Sequence, residues 1–145
     1  SSLLVEVTES ALSGDAQAAI ESVHALAEAG VCIALDDFGV GQSSLASLTE
    51  LPLDVLKLDR SLVSQVAGSR QRMAIISAVV QIARELELKV VAEGIETGEE
   101  AAITERLGCD MAQGWFYARP ATAGDLPGVV AALDGALHLR RSFAA

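Results

Sequence analysis

Short apolar runs alternate with longer stretches of helical periodicity along the whole chain. The first run, Leu3-Leu4-Val5-Glu6-Val7-Thr8, reads as a strand. From about Asp15 to Ala29, Ile20, Val23 and Ala27 recur on one helical face, and Gly30 supplies a stop. Val31 to Leu35 is the second strand, ending at Asp36-Asp37, and Ser43 to Leu51 is a short helix closed by Pro52. Val55 to Leu58 is the third strand, followed by helical stretches from Arg60 to Val66 and from Arg70 to about Glu87. In the longer one, Met73, Ile76, Val80 and Ala83 form a stripe that Ile75, Val79, Ile82 and Leu86 widen, as suits a helix between a sheet and a neighbouring helix. Lys89 to Ala92 is the fourth strand. Thr97 with Glu100 makes a capping box for a helix ending at Gly108. Cys109 to Gln113 is the fifth strand, and a last helix from about Asp125 to Leu137 precedes a basic tail at Arg140-Arg141.

Strict alternation of strands and helices implies a parallel sheet with right-handed crossovers, in a doubly wound sheet or a TIM-type barrel. The strand ends choose between them. Each strand finishes in polar or charged residues: Glu6 and Glu9, Asp36 and Asp37, Lys57 and Asp59, Glu93, and Gln113. An open sheet gathers its ligands at one switch point, whereas every strand of a barrel can deliver a side chain to the same mouth. Side-chain alternation agrees: Glu6 shares a face with Thr8, Asp36 with Ala34 and Cys32, Lys57 with Asp59, Glu93 with Val91, and Gln113 with Met111. The inner face is expected to include apolar Val5, Ala34 and Val91 below these groups.

Carboxylates crowded at one mouth cannot all stay ionised without cations between them. Oxygen donors with only two histidines in the chain suit Mg²⁺, Mn²⁺ or Ca²⁺ better than zinc or copper. A lysine among them could position a water or steady phosphoryl charge. The residues therefore describe a metal-dependent barrel enzyme acting on an anionic substrate.

A net charge of -10 narrows the partners, because so acidic a chain repels the backbone of a nucleic acid polymer. Apolar residues make up 51% and mean hydropathy is +0.40, so the chain buries an unusually large core or leaves apolar surface for a partner. Aromatics are only 3%, so Leu, Val, Ile and Ala must build that core. Cys32 and Cys109 lie in separate apolar runs without metal-site spacing and read as buried free thiols in a reducing cytosol. Ser1-Ser2-Leu3-Leu4 has no signal-peptide character, and the apolar stretch from Met73 to Ile82 is too short to span a bilayer. The expected location is cytoplasmic, although a parent protein could be membrane-anchored. His24 on a helix and His138 in the tail read as surface residues, and Gly39 and Gly41 as turn glycines.

Five segments carry a resemblance. Asp36-Asp37-Phe38-Gly39-Val40-Gly41-Gln42-Ser43-Ser44-Leu45 resembles the DDFGxGxSSL segment of EAL domains, which hydrolyse cyclic di-GMP. Glu6-Val7-Thr8-Glu9-Ser10 is similar to their ExTES segment, and Leu56-Lys57-Leu58-Asp59-Arg60-Ser61 to their KxDRS strand end. Ala92-Glu93-Gly94-Ile95-Glu96-Thr97 matches AEGxET, and Gly108-Cys109-Asp110-Met111-Ala112-Gln113-Gly114 matches GCDxxQG. All five occur in family order, and the resemblance covers about residues 3 to 127.

The resemblance implies two divalent cations, Mg²⁺ or Mn²⁺, with Ca²⁺ inhibitory. Glu6 and Asp36 would bind the first, with Asp36 bridging to the second, and Asp37 and Glu93 would bind the second. Lys57, with Glu93, would be catalytic and hold the attacking water. Gln113 and Asp59 would contact substrate, Glu9 would anchor the Asp37 to Ser44 loop, and Glu96 would support the site from behind. The product would be linear pGpG, and two copies would pair through the loop after Asp37. Gln42 and the Trp115-Phe116-Tyr117 run depart from the commoner pattern. The Glu-Ala-Leu signature and an upstream asparagine ligand are absent from this sequence. A complete barrel has eight strands and about 250 residues, so residues 1–137 read as the C-terminal portion of such a domain and 138–145 as a tail. The missing N-terminal half of the barrel is then an expected partner, and the isolated chain is expected to be inactive. The alternatives are a non-catalytic cyclic di-GMP receptor and a dimerisation module on the same fold.

Overall fold

The structure, a computed structural model, describes residues 3–8, 11, 16–40 and 47–143. Five strands, β1 (Leu4–Thr8), β2 (Cys32–Phe38), β3 (Val55–Leu58), β4 (Lys89–Ala92) and β5 (Met111–Ala112), form one sheet in the order β1-β2-β3-β4-β5, every pair parallel. Each new strand is added on the same side of the one before. A doubly wound sheet reverses that progression at its switch point, so the order fits successive βα units of a TIM-type barrel.

The helices α1 (Ala16–Glu28), α2 (Ser47–Glu50), α3 (Arg60–Val63), α4 (Arg70–Glu85), α5 (Gly98–Leu107) and α6 (Leu126–Phe143) connect or follow the strands. Among the described residues none is long and apolar enough to cross a membrane. The main core lies between sheet and helices: Leu35, Leu56, Leu58, Val90 and Ala92 pack with Ile76, Val79, Val80 and Ala83 of α4. A smaller cluster joins Val23 of α1 to Ile33 and Leu51, with Val5 and Val7 against it. Val5 therefore faces the helix layer, which corrects its expected place on the inner face and follows from Glu6 taking that face in its stead. Asp54 and Asp110 fasten the lower ends of the strands. Asp54 Oδ2 accepts the Ile33 N–H at 2.8 Å, and Asp110 Oδ2 accepts the Val90 N–H at 3.0 Å while Oδ1 meets Lys89 Nζ at 2.8 Å.

Several boundaries differ from the sequence reading. α3 stops at Val63 because Ser64 is extended and Gln65 takes a left-handed conformation (φ 61°), and a 3-10 turn follows at Val66–Gly68. The spacing of Val63 and Val66, both fully buried, imitates a continuing helix. α4 yields at Leu86, since Glu87 is also left-handed (φ 59°). β5 shrinks to two residues, and α6 runs on to Phe143 through positions read as tail. The helix expected over 43–51 is seen from Ser47; 41–46 lie outside the described residues.

Candidate active site

β2 departs from simple alternation at the residues that matter. Leu35 and Phe38, three apart, both belong to the sheet–helix core, where a period of two would separate them. The register shifts between them, with Leu35 opposite Leu56 but Phe38 opposite Leu58, and Asp37 has φ 58°. This bulge resets the phase, so Phe38 turns into the core and both aspartates sit at the strand end. A non-glycine residue in the left-handed region is strained by order 1–3 kcal/mol, and such positions cluster at functional sites.

The inner faces of β1, β2, β3 and the end of β4 converge on one ammonium. Lys57, only 6% exposed, places Nζ 2.7 Å from Glu6 Oε1, 3.0 Å from Asp36 Oδ1 and 2.8 Å from Glu93 Oε1. Burial alone would lower the lysine pKa, but its contacts with Glu6, Glu93 and Asp36 prevail and hold it well above the usual range. Burial lifts the Glu93 pKa above the usual carboxylate range, with Lys57 opposing and Asp36 and Glu6 adding to the rise. Three carboxylates against one ammonium leave two negative charges in excess, before Asp37 is added.

The donor set suits a hard divalent cation. Asp36 Oδ1 is buried and, although at ion-pair distance from Lys57, has no hydrogen bond aligned on it, so it keeps a lone pair for a metal. Among the described residues no three carboxylate, histidine or cysteine groups form a ready cation cage; these carboxylates close on Lys57 instead.

A cleft of about 520 Å³ opens beside the cluster, lined by Asp59, Arg60, Glu93, Glu96, Gln113 and Trp115 among others. Asp59 caps α3, its Oδ1 accepting the Ser61 N–H at 2.7 Å. Burial would raise its pKa, but the bonds from Ser61 and Arg60 outweigh this and lower it. Gln113 is fixed by its backbone, donating to Ala92 O at 2.9 Å and accepting from Ile95 N–H at 3.1 Å. Glu96 pairs with Arg60 at 2.9 Å across the rim. Two glycines make this possible. A Cβ on Gly94 (φ 66°) would lie 2.6 Å from the Arg60 stem, and one on Gly114 would strike the Ile95 backbone.

The structure thus brings Glu6, Asp36, Lys57 and Glu93 into contact and sets Asp59, Glu96 and Gln113 around the adjoining cleft, with exposed Asp37 at the bulge. Glu9 lies outside the described residues. Sequence reasoning overlooked Arg60, Trp115 and Arg119, whose guanidinium stacks 4.8 Å from the Trp115 ring centroid. Arg60 directly follows a strand-end acid, which was a usable signal; Trp115 and Arg119 sit in an irregular segment after β5 that periodicity cannot read.

Known proteins are similar to this chain in sequence and fold. The cyclic di-GMP phosphodiesterase NbdA of Pseudomonas aeruginosa is 44% identical over 118 residues, 81% of this chain and 15% of that protein. The bifunctional diguanylate cyclase/cyclic di-GMP phosphodiesterase MucR of the same organism is 44% identical over 131 residues, 90% of this chain and 19% of that protein. The chain therefore spans less than a fifth of these relatives. A solved PaMucR phosphodiesterase–c-di-GMP complex superposes with a TM-score of 0.78 at 44% identity, over 86% of this chain and 55% of that one. BlrP1 of Klebsiella pneumoniae, solved in manganese and in calcium complexes with the cyclic dinucleotide, superposes at 0.77 with 37% identity, over 81% of this chain and 30% of that one. The EAL domain family profile matches residues 1–120. A lysine ringed by strand-end carboxylates, on a sheet of this order and in a sequence this similar, makes the chain a member of the EAL domain family.

Proposed function

We propose that the protein is a metal-dependent phosphodiesterase that opens one phosphodiester of cyclic di-GMP to give linear pGpG. The observation that carries this reading is the Lys57 ammonium within 3.0 Å of Glu6, Asp36 and Glu93, delivered by separate strands to one end of the sheet. The cyclic di-GMP relatives and complexes named above support the substrate.

Glu6 and Asp36 would hold one divalent cation, magnesium or manganese, and Asp36, Asp37 and Glu93 a second. When bound, the cations would lower the pKa of a water and neutralise phosphoryl charge. The carboxylates around Lys57 favour its protonated form, which suits a hydrogen-bond donor rather than a base. Its ammonium lies within 3.0 Å of three carboxylates, so a carboxylate that turns towards a cation would leave the ammonium free to donate to the attacking water or a phosphoryl oxygen. Water oxygen bonds to phosphorus, the ester P–O bond breaks, and the leaving ribose oxygen takes up a proton from solvent. Glu93, partly buried beside Lys57, would receive the proton that the water gives up. Gln113 and Asp59 would orient the substrate in the cleft, and Glu96 would hold its rim through Arg60. Glu9 would anchor the loop after Asp37, through which two copies would pair. A cytoplasmic location and Ca²⁺ as a non-productive cation belong to the same proposal.

The test is chromatographic detection of pGpG made from cyclic di-GMP by the full-length protein with Mg²⁺ or Mn²⁺. Asp36→Asn should abolish turnover without lowering the melting temperature. Lys57→Ala should lose turnover while retaining binding in Ca²⁺. Near-normal turnover in Asp36→Asn would refute the metal assignment, and wild-type binding without cleavage would make the protein a receptor instead.

A further inference from the structure

We infer that Glu100 is a positioning residue for this site, acting through the backbone: it ties the loop after β4 to the segment after α3 and so sets the Arg60–Glu96 pair on the cleft rim. The inference rests on the phosphodiesterase reading.

Glu100 stands at the third position of α5, where a capping box requires it to accept one N–H, that of Thr97. It does more. Its Oε2 accepts both the Glu96 and the Thr97 N–H at 3.0 Å, and its Oε1 reaches the Gln65 N–H at 3.4 Å. Gln65 belongs to the turn after α3, thirty-five positions earlier in the chain. One carboxylate thus joins two segments, and these follow the strands that carry Lys57 and Glu93.

The charge itself is informative. Glu100 is buried, and withdrawing a carboxylate from water is costly unless donors replace the water. Burial would raise its pKa, yet the N–H groups of Glu96, Thr97 and Gln65 outweigh that and hold it below the usual range. Glutamine serves a capping box as well as glutamate does. What glutamine cannot do is accept hydrogen bonds at both ends of the side chain. The second acceptor is the one that reaches Gln65.

The consequence reaches the cleft through two neighbours. Glu96, held by its N–H, directs its carboxylate to Arg60 at 2.9 Å, and Arg60 opens α3, whose chain runs on to Gln65. Gly94 leaves room for the Arg60 stem against the β4 loop. Glu100 does not itself line the cleft. It governs where the rim stands, and therefore how well substrate is held, rather than the bond being broken.

Glu100→Gln isolates this role, because the amide oxygen still serves Glu96 and Thr97 while its NH₂ meets the Gln65 N–H donor to donor. In the full-length protein, amide exchange at Gln65 should quicken by about tenfold or more while Thr97 stays protected. The KM for cyclic di-GMP should rise about fivefold with kcat within about twofold, the mark of lost uniform binding. Glu100→Ala, which also loses the cap, should add a lower melting temperature and fast exchange at Thr97. Unchanged exchange at Gln65, an unchanged KM, or a kcat that falls in step with melting temperature at constant KM would overturn the inference and leave Glu100 a helix cap. If the wild-type protein neither binds nor cuts cyclic di-GMP, the phosphodiesterase reading fails, while the exchange at Gln65 still judges the clamp.

Discussion

Replacing Lys57 by methionine keeps an unbranched apolar stem about as long as lysine's and removes the ammonium, so it measures what the charge does for the fold. Three carboxylate oxygens lie 2.7, 2.8 and 3.0 Å from Nζ. At an effective dielectric of 20 each such pair attracts by about 5–6 kcal/mol, most of which is offset by the desolvation of both partners. Removing one partner of a buried pair costs about 3–5 kcal/mol because the other charge is left uncompensated. The Glu6 side chain is 47% exposed and can be rehydrated, so the lower end, about 3 kcal/mol, applies here. For a chain of this size that is a fall of about 6–12 °C in Tm.

The penalty should depend on pH in a definite sense. Glu93 already has a pKa raised by burial, and loss of Lys57 removes what opposes the rise. A carboxyl whose folded pKa exceeds its unfolded value favours folding below the unfolded value, and that contribution is lost as pH rises through the folded value. Lys57→Met should therefore be much less stable than wild type at pH 7, and the gap should narrow as pH falls through the raised Glu93 value. Mn²⁺ should raise the variant's Tm by more than it raises the wild type's, because Lys57 no longer competes for the same oxygens. Calorimetric melts from pH 3.5 to 8, with and without Mn²⁺, decide the matter. A penalty independent of pH, or a larger Mn²⁺ effect in the wild type, would refute the picture of an ammonium that offsets the carboxylates around it.

Gly114→Ala should lower stability by about 2 kcal/mol or more, since its Cβ would collide with the Ile95 backbone, which cannot yield as a side-chain end can; urea titration reads this. Asp110→Ala should cost about 1–2 kcal/mol at pH 7 by freeing the Val90 N–H and the exposed Lys89. The Asp110 pKa is lowered, chiefly by Lys89, so its contribution is present above the unfolded pKa and disappears as pH falls through the folded one; the two melting curves should converge in acid. The 145-residue chain alone, with β1 and β5 as open edges and Leu3, Leu4, Met111 and Trp115 exposed, should self-associate, and a monomer by light scattering would count against this.

Which parts of this were legible in the sequence follows from which interactions are local. Strand and helix identity came from periodicity, and the α5 capping box from a three-residue spacing, so both could be read directly. Where the chain turns on a strained residue, pattern is blind. Val63 and Val66 keep helical spacing through a turn in which Gln65 is left-handed, and nothing in a glutamine announces a positive φ. β5 shortens for a different reason: its length depends on pairing with β4, a long-range property that its own residues do not encode.

The site shows the same division. That Glu6, Asp36, Lys57 and Glu93 share one end of the sheet is a consequence of parity and strand order, and both are visible as pattern. That they close on the lysine is not. The contact requires Lys57 to be an inward residue on a strand buried on both faces, with carboxylates from the strands around it tilted over its head. Alternation placed Asp36 and Asp37 on opposite faces, and only the bulge between Leu35 and Phe38 reconciles a core phenylalanine with two aspartates at the same strand end. Glu100 was legible as a cap and illegible as a clamp, because the N–H that distinguishes the two belongs to Gln65, on another loop. The residues that organise this site are thus those whose second partner is distant in sequence, and a substitution there should be judged by both partners rather than by the local motif.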